Sequence, residues 1–174
     1  ELELNAGEPG AALDLAARAA RGFTESGQID ARARADVPRA HALLRAGSIE
    51  QARALFESTL AQAQALNLMS VQVRCLTGHG LAAQAGGDVP AAHQAFTAAV
   101  QLFEEQRRAL PDAAIRSAFL TDHLRPYQEL LRLAIDDHAR HGTNASTSAS
   151  AAEVLRRLDR CRARALSERV SQSA

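Results

Sequence analysis

Cys75 and His79 stand four residues apart. On a helix that interval puts both on one face, the arrangement of a thiolate–imidazole dyad or of half a metal site. No second cluster with metal-ligand spacing accompanies them, so a core cysteine beside a surface or groove histidine is the favoured reading. His138 and His141 also share a face, near a predicted helix C-terminus whose partial negative charge favours imidazolium. Capping outweighs metal binding there. Asp136 and Asp137 beside them read as a solvated pair of acids. Gly78-His79-Gly80 lacks the preceding strand and the downstream glycine of a dinucleotide loop. Serines cluster between 143 and 150, without the strand-turn-helix setting of a nucleophile elbow. The expectation is a chain with no metal, no cofactor and no active site of its own.

The elements that would position such groups follow from composition. The 174 residues suit one domain with a continuous core. Trp is absent, Tyr occurs once and Phe five times, so Ala and Leu carry the 47% hydrophobic fraction. Ala leads the helix propensities and β-branched residues are scarce, which excludes an all-β fold and nearly excludes a Rossmann-like sheet. Twenty basic and twenty acidic residues cancel. No global field draws the chain to nucleic acid or an anionic membrane. Every basic residue is Arg, so a lysine Schiff base and a P-loop lysine are excluded. Two cysteines, Cys75 and Cys161, are too few for a disulfide framework, and reduced thiols in a cytoplasmic protein are expected. No apolar run approaches the roughly 20 residues of a membrane span. A start at Glu1-Leu2, with no initiator Met and no signal pattern, reads as a piece of a longer protein.

Three segments share a register: Gly7 to Ala12, Gly47 to Ala52 and Gly87 to Ala92, each a Gly, four spacers and an Ala, recurring every 40 residues. Behind each Ala the pattern continues, as Ala52, Phe56 and Leu60 or Ala92, Phe96 and Ala99. Gly47 and Gly87 are placed to close helix C-termini in the left-handed conformation. Ser48 with Gln51 forms a capping box, while Asp88 caps with Pro90 in the first turn. The small Ala52 and Ala92 let paired helices approach, and the Phe residues fill the space beside them. Each hairpin leaves an apolar side for the next to bury. The predicted helices cover 9–25, about 31–46, 49–66, 69–86 and 89–109. Pro38 either kinks its helix or starts it near Asp36. Helices from Pro111-Asp112 to Leu124 and from Pro126 to His141 follow, then a mobile loop at 142–150. The Ser150-to-Glu153 capping box opens a last helix reaching Val170.

This pattern resembles the tetratricopeptide repeat. Gly80, Gly87, Ala92, Phe96 and Ala99 match in one unit, and Ala40, Leu43, Gly47, Ala52 and Phe56 in the unit before it. The opening aromatic is missing, Thr59 replaces a usual Ala, and the period exceeds the standard of about 34. Longer helices and turns such as Ala65–Met69 would account for the excess. The resemblance implies an all-α, right-handed superhelical solenoid of antiparallel hairpins. It forms one domain: a partial repeat at 9–25, repeats at 31–66 and 69–109, and degenerate helices at 112–170. It also implies a partner-binding groove on the first helix of each unit, with Arg34, His41 and Arg45 in one and Arg74, Leu81 and Gln84 in the next. Three arginines and a histidine suit an acidic peptide. The Lys and Asn set of the chaperone-tail clamp is absent, which disfavours that partner.

Ala118-Phe119-Leu120, Tyr127 opening a leucine-rich helix, Leu158-Asp159-Arg160 and Ala163-Arg164-Ala165-Leu166 resemble the stretch joining tetratricopeptide repeats to a CHAT domain. That domain has the caspase-like cysteine peptidase fold of many bacterial proteins. The resemblance implies a peptidase domain after Ala174, contacted by Arg160 and Arg164, with its catalytic His and Cys outside this chain. The final helix carries Arg156, Arg157, Arg160, Arg162, Arg164 and Arg169, yet no aromatics interleave to stack bases, so nucleic acid is not the expected partner. The function expected is a non-catalytic module that binds a peptide or protein and controls the attached peptidase. The alternatives are the helical sensor of a multidomain transcriptional regulator, marked by an upstream P-loop and a helix-turn-helix, and a free-standing scaffold. An unpaired first helix with Leu13 and Leu15 exposed is expected to pair two copies as a homodimer.

Overall fold

The computed structural model describes residues 9–109 and 124–141, with isolated helical positions at 152, 156 and 159. Everything described in those two stretches is helix or tight turn. The helices are α1 (Pro9–Glu25), α2 (Ile29–Arg45), α3 (Ile49–Ala65), α4 (Met69–Ala85), α5 (Val89–Ala109) and α6 (Arg125–His141). The chain divides into two compact units, Glu1–Ala95 and Phe96–Ala174, the division falling within α5.

Within the first unit a single metric governs the backbone. Helices α1 to α4 are each 17 residues long. Three-residue turns follow each of them, and every turn has a left-handed residue at its centre: Gly27 (φ 69°), Gly47 (φ 80°), Asn67 (φ 53°) and Gly87 (φ 83°). The hydrogen bonding is the same every time. The Ser48 amide donates to the Leu43 carbonyl and the Gly47 amide to Leu44, a Schellman closure. Gln28 and Gly27, Leu68 and Asn67, and Asp88 and Gly87 repeat both bonds on their own helices. The underlying period is therefore 20 residues, one helix and one turn, and the 40-residue interval of the Gly–Ala pattern is two of these.

That regularity corrects several sequence expectations. The turn at Ala65–Met69 is no longer than its neighbours; Asn67 does there what glycine does elsewhere, because Asn tolerates the left-handed region better than other side chains. Of the two expected causes of the long period, the longer helices remain, at 17 residues each. Helix α2 begins at Ile29 and runs without interruption through Pro38, so it does not start near Asp36. Ser48 occupies the N-cap of α3 but makes no side-chain capping bond. Asp88 does cap: its Oδ1 accepts from the Ala91 amide at 3.0 Å. Apart from position 124 and the helical positions 152, 156 and 159, the expected helices and loop at 112–124 and 142–170, with Cys161, lie outside the described residues.

Consecutive helices pack antiparallel, α1 on α2, α2 on α3 and α3 on α4, while α2 also touches α4. The shared core takes Ala33, Val37 and Ala40 from α2, Ala52, Phe56 and Ala63 from α3, and Val71 and Cys75 from α4. Most of these side chains are small, so the helices approach closely and Phe56 supplies the bulk. Ala52 and Ala92, the two repeat positions, are both fully buried. Thr59, where an Ala was the norm, is buried with its hydroxyl donating to the Leu55 carbonyl at 2.7 Å. A satisfied hydroxyl at that point costs little.

The second unit has its own core. Phe103 of α5 and Tyr127 of α6 meet edge to face, centroids 6.0 Å apart, with Leu130 and Leu133 also buried on α6. The Tyr127 hydroxyl donates to the Glu104 carboxylate, which also accepts from buried Arg107 at 3.1 Å.

Candidate functional site

The six groove candidates lie on α2 and α4, the two alternate helices that touch. Helical periodicity sets their exposure. Helix α2 turns Ala33, Asp36, Val37, Ala40 and Ala42 inward, which leaves Arg34 and Arg45 exposed and His41 at the margin. Helix α4 is buried at Val71, Val73, Cys75, Thr77, Gly78, Gly80, Ala82 and Ala83, and holds Arg74, Leu81 and Gln84 half-buried. His41 is not a free groove residue: its ring stands edge-on to Phe56, with centroids 5.0 Å apart. Arg34 and Arg45 make no ion pair among the described residues. These two are the available cations of the set.

Phe56 organises this region more tightly than its spacing suggested. It is fully buried, with His41 of α2 on one flank and Gly78 of α4 on another. A Cβ placed on Gly78 would stand 2.2 Å from the ring. Gly78 is therefore the glycine on which Phe56 rests.

Asp36, which spacing alone did not single out, is the buried acid of the site. Its side chain is 3% exposed and lies between Arg32 at 3.5 Å and Arg39 at 3.4 Å. The signal was present in the sequence: an Asp on the inner stripe of a helix, with Arg four before and three after, meets both on its own face. Two flanking guanidinium groups compensate a carboxylate that burial alone would penalise.

Cys75 and His79 do not form a dyad. The thiol is fully buried in the core, and desolvation pushes it up to about 12, with Arg74 opposing the rise and Asp36 adding to it. That is the reverse of an activated nucleophile. His79 instead sets Nε2 3.1 Å from Glu57 Oε1, a carboxylate that Arg53 also approaches at 3.5 Å. Among the described residues no three His, Cys, Asp or Glu side chains gather as a metal site would require. Asp136 and Asp137 are half-buried. The side chains of His138 and His141, and the whole of Arg160 and Arg164, lie outside the described residues. Among the described residues no helix is long and apolar enough to cross a membrane.

The raised thiol pKa carries a stability consequence. The folded state holds the Cys75 proton to about 12, while the unfolded thiol, at its ordinary value of 9.0, releases it earlier. Where the unfolded state binds fewer protons, stability falls as pH rises. Between about pH 9 and pH 11 the wild-type chain is expected to lose stability faster than Cys75→Ala, by up to about 1.4 kcal/mol per pH unit. Urea unfolding of both proteins across that range reads the difference, and parallel curves would contradict it.

No protein-family model, curated protein or solved structure matches this chain. Its described architecture, consecutive antiparallel helices, is consistent with a helical repeat.

Proposed function

We propose that this chain is a tetratricopeptide-like solenoid serving as a non-catalytic protein-interaction module. It takes an acidic peptide segment on the face formed by α2 and α4 and relays that binding to an attached CHAT-type cysteine peptidase. The observation that carries the reading is the direct contact of α2 with α4, with exposed arginines on α2. Alternate helices in contact build a continuous surface from successive hairpins, and such surfaces serve extended segments better than compact ligands. Charge supports the acidic ligand. Helix α2 carries Arg32, Arg34, Arg39 and Arg45 against Asp30 and a buried Asp36, and Arg74 is the one Asp, Glu or Arg on α4. A neutral chain has gathered cations here. The exposed guanidinium groups of Arg34 and Arg45 provide charge-assisted bonds to carboxylates. Relay to a following domain through Arg160 and Arg164 belongs to the same proposal.

The test titrates a labelled oligoglutamate peptide into the protein at low salt. Saturable binding is expected, weakened about tenfold when Arg34→Glu and Arg45→Glu are combined. Both positions are exposed, so the variant keeps its helix content. Equal affinity in the variant refutes the groove.

A further inference from the structure

We draw no further inference here: the strongest candidate, the exposed surface patch on α1 around Leu15, with Leu13, its expected companion, half-buried instead, carries nothing because no observation shows what covers it.

Discussion

Phe56→Ala is expected to lower the unfolding free energy by about 3–5 kcal/mol, the range for deleting a buried aromatic ring. The site gives the upper part of that range good grounds. The ring is fully buried between the His41 ring and Gly78, which has no side chain to move, in a core whose buried members on α2 and α3 are mostly alanines. Gly78 and the alanines have no side-chain reach with which to fill the void. Gly78→Ala tests the same contact from the other side. It should gain up to about 1 kcal/mol of helix propensity and lose about 1–3 kcal/mol to overpacking, for a net loss. Combining it with Phe56→Leu is the diagnostic variant, because a smaller side chain relieves the collision. The double variant should then be more stable than the two single losses summed, and simple additivity in urea melts would show that Phe56 and Gly78 do not touch.

The second large effect comes from an ion cluster rather than a ring. Arg32→Ala combined with Arg39→Ala should cost about 2–4 kcal/mol, because it strands a buried carboxylate without its partners. The guanidinium side chains are 41% and 40% exposed, so the pairs themselves are screened and contribute little singly. The penalty belongs to the orphaned Asp36. Adding Asp36→Asn to the double variant should therefore recover much of the loss. By contrast, Arg53→Ala removes an exposed partner of Glu57 and should cost under about 1 kcal/mol. A triple variant no more stable than the double would locate the energy elsewhere.

Helix content, hairpin order and the buried repeat positions could be read from residue types alone. Ala52, Phe56, Ala92 and Phe96 announce their burial because small and bulky residues alternate at helical spacing behind a turn glycine. The 20-residue unit was harder to see, because Asn67 stands where Gly27, Gly47 and Gly87 would have shown an unbroken series. Pro38 misled in the same way: a proline in the middle of a pattern reads as a boundary, yet the packing of α2 against three neighbouring helices outweighs one missing amide. Asp36 escaped notice because an acid counts as solvated until its flanking arginines are set on the same face. His41 had the right helix for a groove, but its ring contact with Phe56 depends on how two helices meet, which spacing within one helix cannot supply. Gly22 and Gly78 look alike in the sequence, each a glycine within a helical pattern. Only the packing tells them apart, one beneath a ring and the other beneath open space.

The uniform helix-and-turn length also constrains how such a chain can change in size. Duplicating one 20-residue stretch would insert a helix and send every later element in the opposite direction, so that surfaces built from alternate helices would exchange their members. Duplicating two would leave all downstream orientations as they were. Growth or loss in this part of the chain is thus tolerated in even steps and penalised in odd ones, a parity rule that a series of inserted variants could read directly from their melting behaviour.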